Sequence, residues 1–293
     1  MMKRVFIAYG DENCAYSLWR ITKQAKRIGV FDEVISMTPQ DLPSYIKKSI
    51  LMRHSYGGGY WAWKPCIIKE ILLKYGDNTV VCYVDAGCTL NKGIEWTLYF
   101  ELMKDYDMIC FKYRDEYPQW AKFGSTSTKI KHWGKKNTLL FLDDLLKEKQ
   151  WRECNKIWGG LLFVKGKSNP IINEWLEVTL AHPEIIIDPD QDEMKNQYPY
   201  FALHKHDQVI LVALAYKYKN KCLVLPELSE TCGENVAVFA SRIRARNVKE
   251  YIALRIKYWG RKILGDRSFE RVKRWLGKSS KYYAESVSNH SCL

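Results

Sequence analysis

The sequence predicts an α/β protein, a parallel sheet with helices on its faces and a basic helical tail behind it, and three features carry that expectation. Short apolar runs bounded by turn residues alternate with helical patterns from residue 3 to residue 225, the order that builds βα units. At 293 residues the chain is long enough to bury a large core. Its net charge of +13 is gathered at one end: residues 241–281 hold fourteen Lys and Arg against Glu250, Asp266 and Glu270, and the rest is nearly neutral. A globular body, residues 1–238, is thus set apart from a basic tail, residues 239–293.

Residues 3–9 are an apolar run closed by Gly10 and Asp11, the pattern of a buried strand and its loop. Asn13 caps a helix that runs to Gly29 and turns Leu18, Ile21, Ala25 and Ile28 to one side. Residues 33–37 read as the second strand, and Thr38, Pro39 and Asp41 supply the cap, first-turn proline and acid of another helix. A loop over residues 53–65 follows, where Gly57, Gly58 and Gly59 are free to take backbone conformations that other residues resist. Pro65 opens a helix that Gly76 ends. Residues 79–84 form a β-branched strand that stops at Asp85-Ala86-Gly87, so an acid stands at the carboxyl end of a central strand, the edge where open α/β sheets bind ligands. Residues 107–112 and 157–165 read as strands, residues 169–180 as a helix opened by Asn169-Pro170, residues 207–218 as an apolar helix and residues 222–225 as a last strand. Residues 114–135, rich in Lys, Gly, Ser and Thr around Trp120 and Trp133, read as a mobile loop or as irregular surface.

Composition narrows the class. Nine cysteines, an odd number with no C-x-x-C pair and mostly apolar neighbours, read as reduced core residues of a cytosolic protein. The apolar run Val5-Phe6-Ile7-Ala8-Tyr9 is too short for a signal-peptide core, and residues 209–216 fall far below the roughly 20 apolar residues of a membrane-spanning helix. A nucleic-acid-binding module would interleave basic and aromatic residues on the body, whereas here the charge lies in the tail.

Asp85, followed by small Ala86 and Gly87, can meet a hard cation without crowding a phosphate, or can simply open a turn. D-x-D strings recur at Asp105 and Asp107, Asp188 and Asp190, and Asp190 and Asp192. The first precedes a strand, at the sheet edge away from ligands; Asp188 with Asp190 is the alternative metal site. Residues 57–59 are not a Walker loop, because no G-K-[ST] follows. Trp61 and Trp63 alternate as strand residues do, and serve either the core or a stacking platform. Asp207 beside His206 is explained locally as a helix cap.

Five segments, taken in order, carry a resemblance: Tyr9-Gly10-Asp11, Tyr60-Trp61-Ala62-Trp63-Lys64-Pro65, Tyr83-Val84-Asp85-Ala86-Gly87-Cys88, Trp158-Gly159-Gly160-Leu161-Leu162-Phe163 and His206-Asp207-Gln208. Over residues 3–225 the chain resembles a family of bacterial surface-polysaccharide (capsule and lipopolysaccharide) glycosyltransferases. It is similar, more distantly, to the glycogenin-like retaining glycosyltransferases of GT-A type. The resemblance implies a Rossmann-like GT-A fold with a mixed, mostly parallel sheet. It implies transfer of a sugar from a nucleoside-diphosphate sugar to a glycan or lipid-linked acceptor in surface-polysaccharide synthesis. Residue by residue, it implies that Asp85 binds metal and diphosphate, that Gly159 and Gly160 give the donor sugar room, that Asp207 and Gln208 face the reacting sugar as catalytic residues, and that Tyr9 lies along the base. Lys64, at a helix start, would add positive charge beside the phosphates. Gly87 stands where the second Asp of D-x-D belongs, so the expected manganese or magnesium ion needs a further ligand from His206, His204 or Asp188.

In the tail, Val248, Ile252, Ile256, Trp259 and Ile263 recur at near-helical spacing among Lys249, Arg255, Lys257, Arg261 and Lys262. A second stretch repeats this with Phe269, Val272 and Leu276 among Arg271, Lys273, Arg274 and Lys278. Basic amphipathic helices fit an anionic membrane surface. The expected place is therefore the cytoplasm, peripheral at the inner face of the cytoplasmic membrane; a helix docked on the body is the alternative. Two other function classes compete, a nucleotide-binding protein without catalysis and a basic nucleic-acid-binding protein, although nucleic acid is not the expected partner.

Overall fold

The computed structural model describes residues 2–275, with residues 264–275 described as backbone alone. Its strands are β1 (Lys3–Tyr9), β2 (Glu33–Met37), β3 (Thr79–Val84), β4 (Thr89–Leu90), β5 (Met108–Lys112), β6 (Leu161–Lys165), β7 (Cys222–Pro226) and β8 (Val238–Phe239). Six of them form one sheet in the order β2-β1-β3-β6-β5-β7, and β4 pairs with β8. Every pair in the large sheet is parallel except the two made by β6, which runs against both β3 and β5. The sheet is mixed and mostly parallel, and helices flank it. Counting those of eight residues or more, the helices are α1 (Ala15–Ile28), α2 (Trp63–Tyr75), α3 (Glu95–Leu102), α4 (Lys136–Leu146), α5 (Pro170–Ala181), α6 (His206–Lys217) and α7 (Val248–Trp275).

The core follows from the pattern. All six residues of β3 are buried, as a central strand covered on both faces must be. α1 buries Leu18, Ile21 and Ala25 and contacts β1 and β2. It ends at Gly29 with φ 76°, the left-handed position that glycine fills without a Cβ clash. α6 is buried along almost its whole length, between α4, α5 and β7. All eight cysteines among the described residues are free thiols.

Several boundaries differ from the sequence reading. Asp11, not Asn13, makes the first cap, accepting from the Asn13 amide at 3.0 Å, and a 3-10 turn (Glu12–Cys14) precedes α1. After Thr38 there is only a 3-10 turn with a capping box and then a single turn (Ser44–Lys47), because Pro43 between them has no amide to continue a helix. α2 starts two residues before Pro65, which its first turn tolerates. The strand expected over residues 157–165 contracts to β6, with Ile157 held to Lys112 by an isolated bridge. Trp120 and Trp133 are buried against each other, ring centres 4.8 Å apart, and anchor residues 114–135 to the body, while Arg114, Glu116 and Lys122 of that segment stay exposed.

The chain does not leave the body after β8. Ser241 Oγ and the Ile243 amide both donate to the Gly87 carbonyl, at 3.0 and 2.9 Å. Ser17 Oγ donates to the Ile243 carbonyl at 2.7 Å and accepts from the Ala245 amide at 2.9 Å. Residues 238–245 are therefore a strap bonded to the start of α1 and to the turn after β3, and the boundary drawn at residue 238 falls at its first residue. α7 begins only at Val248. Residues 276–293, with Leu276 and Lys278 of the second amphipathic stretch, lie outside the described residues.

Candidate functional site

A cleft of about 480 Å³ opens at the carboxyl ends of β1 and β3. One wall is aromatic. Tyr9, the last residue of β1, stacks on Trp63 with ring centres 3.9 Å apart and planes 27° from parallel. Trp63 in turn donates from Nε1 to the Gly57 carbonyl at 3.0 Å. Gly57, Gly58, Gly59, Tyr60 and Trp61 all have positive φ, between 54° and 94°, so the chain makes a left-handed turn here. Such backbone costs roughly 1–2 kcal/mol for each residue with a Cβ, which is why three of the five are glycine. A Cβ on Gly57 would lie 2.7 Å from the Trp61 ring. Trp61 and Trp63 are thus not strand residues: the turn and the start of α2 bring both to the cleft.

The floor is built where β3 meets β6. Their antiparallel register sets Val84 against Leu161, and the next pair along brings the Asp85 amide to the Gly160 carbonyl at 3.0 Å. Tyr83 donates its hydroxyl to Asp85 Oδ1, so the carboxylate is fixed through both backbone and side chain. Behind it, Lys64 Nζ donates to the Gly159 carbonyl at 2.9 Å and to Asp207 Oδ2 at 3.1 Å. Lys64 and Asp207 are only 2% and 3% exposed, which makes this a buried ion pair. Burial pushes the Asp207 carboxyl above its ordinary range against the pull of Lys64, and the nearby charge of Asp85 pushes the same way as burial. Gln208 Oε1 is buried with no hydrogen-bond partner among the described residues.

The two glycines serve the packing. A Cβ on Gly160 would fall 2.4 Å from the Trp158 indole, and one on Gly159 would meet Lys64 Nζ at 3.2 Å and Gln208 at 3.4 Å. Trp158, Lys64 and Gln208 lie in the space beside the two glycines. Tyr9, Asp85 and Trp158 line the cleft; Lys64, Gly159, Gly160, Asp207 and Gln208 sit beneath its floor.

The proposed metal ligands are not gathered. His206, at φ 42°, packs its ring on Tyr60, Tyr56 and Trp61, and its Nδ1 meets the Ile186 carbonyl at 2.8 Å. Its Nε2 lies 3.6 Å from Asp188, and burial pushes the imidazole down to about 4. His204 is buried between the Ile185 carbonyl and the Lys135 amide. Asp190 caps the turn Gln191–Lys195 in a capping box with Glu193. Among the described residues no group of three or more His, Cys, Asp and Glu side chains is arranged to hold a metal ion. Of the carboxylates that line the cleft, Asp11 caps the Asn13 amide and Glu230 is paired with Arg242, which leaves Asp85, while Asp207 behind it is tied to Lys64. Divalent cations of this kind want several oxygens in a defined shell, and this donor set does not fit one.

The opposite wall was not anticipated. The strap brings Arg242 and Arg244 to the cleft, with Glu230. Arg242 Nη2 pairs with Glu230 Oε1 at 2.8 Å, from a left-handed backbone with φ 51°. Charge counting alone assigns both arginines to the tail; the signal that separates them from α7 is the apolar run over residues 236–240 just before them.

No protein-family model and no curated protein matches the chain. Among solved structures it is similar to a glycosyltransferase involved in the glycosylation of the major capsid of PBCV-1, at 10% identity over 87% of this chain and 99% of that one, with a TM-score of 0.45. It is also similar to mouse xyloside xylosyltransferase 1 (10% identity, 76% and 85% covered, TM-score 0.39). A third is the galactosyltransferase LgtC in complex with donor and acceptor sugar analogues (12% identity, 75% and 72% covered, TM-score 0.35). At these identities and scores the likeness decides neither fold nor reaction, and both rest on the geometry of the chain itself.

Proposed function

We propose that this chain is a glycosyltransferase that binds a nucleoside-diphosphate sugar in the cleft and passes the sugar to a glycan or lipid-linked acceptor, in surface-polysaccharide synthesis. One observation carries the reading: a stacked aromatic wall, Tyr9 on Trp63, faces a fixed carboxylate, Asp85, at the end of a central strand in one cleft. The volume of about 480 Å³ suits a ligand of nucleotide size. The aromatic wall takes the base. A carboxylate only accepts hydrogen bonds, so Asp85, with no cation to bridge it to phosphate, takes hydroxyls of the donor. Asp207, paired with Lys64 at 3.1 Å, stands behind Asp85, and a carboxylate so placed favours the cationic character that grows at the anomeric carbon in the transition state. No step here runs through a metal.

The acceptor side of the reading rests on α7. Val248, Ile252, Ile256, Trp259 and Ile263 are all exposed large apolar residues, up to 76% at Ile263, on a helix rich in Lys and Arg. No helix among the described residues is long and apolar enough to cross a membrane. An apolar stripe flanked by positive charge supports attachment to an anionic membrane at its cytoplasmic face, where a lipid-linked acceptor would be met.

The test is a thermal-shift screen with UDP, GDP, dTDP and ADP, followed by turnover of the matching nucleotide sugars. Asp85→Asn keeps an oxygen for Tyr83, so the melting temperature should hold while transfer falls about ten- to a hundredfold. A wild-type protein that none of these diphosphates stabilises would overturn the proposal. Stabilisation without turnover of any nucleotide sugar would favour a nucleotide-binding protein instead.

A further inference from the structure

The strap crosses the turn at Gly87 and points to what stands in place of a second acid. Ile243 and Ser241 both donate to the Gly87 carbonyl. A Cβ on Gly87 would lie 3.6 Å from the Ile243 carbonyl oxygen and 3.7 Å from Arg242 Cα, in ordinary contact with the strap. The same crossing delivers two guanidinium groups to the cleft. Arg242 is held by Glu230 and by a left-handed backbone that a non-glycine residue adopts only when its surroundings impose it. Arg244 lines the cleft with an exposed side chain that makes no hydrogen bond or ion pair among the described residues. Its backbone is nevertheless fixed, because the residues on either side, Ile243 and Ala245, are buried and bonded to Ser17. A free cation on a fixed backbone, facing a nucleotide-sized cleft that lacks a cation-binding shell, is arranged for an anionic ligand.

We propose that Arg244, with Arg242 beside it, binds the diphosphate of the donor and takes the part that a divalent cation would otherwise play. This rests on the glycosyltransferase reading and deepens it. In the transfer step the bond between the anomeric carbon and the diphosphate oxygen breaks, and its electron pair leaves on that oxygen. The acceptor hydroxyl forms the new bond to the anomeric carbon and its proton is released to water. The diphosphate thereby gains one negative charge, and a guanidinium already in contact with it stabilises that state more than the ground state. Planar bidentate donors suit phosphate oxygens better than an ammonium does, so Lys at position 244 should restore only part of the function.

The experiment titrates UDP, GDP and dTDP, each against its nucleoside, into the full-length protein in EDTA and in manganese. Arg244→Ala removes an exposed side chain without internal partners, so the fold should be retained; a melting curve checks this, and Arg244→Lys serves as the conservative variant. The expected result is diphosphate binding by the wild type that EDTA does not remove, a loss of about tenfold or more in Arg244→Ala, partial recovery in Arg244→Lys, and nucleoside affinity unchanged within about twofold. Diphosphate binding that disappears in EDTA, or that survives Arg244→Ala unchanged, overturns this proposal and leaves the glycosyltransferase reading in place. Absence of any diphosphate binding to the wild type under both conditions overturns both.

Discussion

Single residues at the site are fixed by neighbours remote in sequence, and His206 shows what that costs. Its ring is buried against Tyr56, Tyr60 and His204, with Asp188 at 3.6 Å and the charges of Lys135 and Lys205 facing it. Burial first, then those two lysines, hold the imidazole down to about 4, against the Ile186 carbonyl that favours the charged form. Between pH 4 and its ordinary value of 6.5 the unfolded chain binds a proton that the folded chain refuses, so stability should rise with pH across that window and be lost on acidification. Two and a half units at roughly 1.4 kcal/mol each give about 3 kcal/mol. His206→Asn accepts the positive φ and cannot titrate there, so its stability should fall less than that of the wild type between pH 6.5 and 4 in urea unfolding. Parallel pH profiles for the two proteins would count against the assignment. At this scale the sequence disclosed Asp85 and Tyr9, because a strand end is a local pattern. It did not disclose that Lys64 serves Asp207, because that contact joins residues 143 positions apart, nor that Gly160 makes way for the Trp158 indole, because the rotamer of Trp158 is set by what packs around it.

Among the elements, α7 and the strap divide what the charge count had joined. The strap keeps Arg242 and Arg244 with the cleft, whereas α7 bears the exposed apolar residues and meets the body through Tyr251 on Tyr16 and through Tyr258 and Lys262 on Glu234. Truncation after Asn247 should therefore release the protein from anionic vesicles and leave diphosphate binding intact, whereas truncation after Ala240 should lose both. Added salt should weaken attachment of the full chain, since each basic residue near the surface contributes on the order of 1 kcal/mol through a screened field. Sedimentation with vesicles of anionic and of neutral lipid measures this, and a body truncated after Asn247 that still sediments would remove α7 from the account. Most of the run of strands and helices was legible because hydrophobic period is local, but α3 and α4 were not assigned from the sequence. The short β4–β8 pair was not, since two-residue strands have no period to read.

For the whole molecule, the strap closes the chain on itself: Ser17, in α1, holds residues 226 and 228 positions further on. Ser17→Ala would leave the Ile243 carbonyl and the Ala245 amide without their partner in a buried place. The expected cost is about 2 kcal/mol in urea unfolding. Because Arg244 lies between those two residues, diphosphate affinity should fall as well, although Ser17 itself is not on the cleft. A change below about 0.5 kcal/mol with unaltered affinity would mean the strap is held by its other bonds. By itself the sequence determined the α/β class, the mixed and mostly parallel sheet that its resemblance implied, and the strand-end position of Asp85. These depend on periodicity, on turn residues and on the order of segments. Only the tertiary structure decided which charges meet in the cleft. The antiparallel seating of β6 set Gly160 against Asp85, the left-handed turn at residues 57–61 brought the tryptophans to the wall, and the return of residues 238–245 across Gly87 put arginines where a second acid was expected. The first and the last are meetings of segments far apart in the chain, settled by hydrogen bonding and excluded volume, and they leave no local mark on the residues that meet; the turn is marked by its three glycines, but the seating of Trp63 on Tyr9 joins segments more than fifty residues apart.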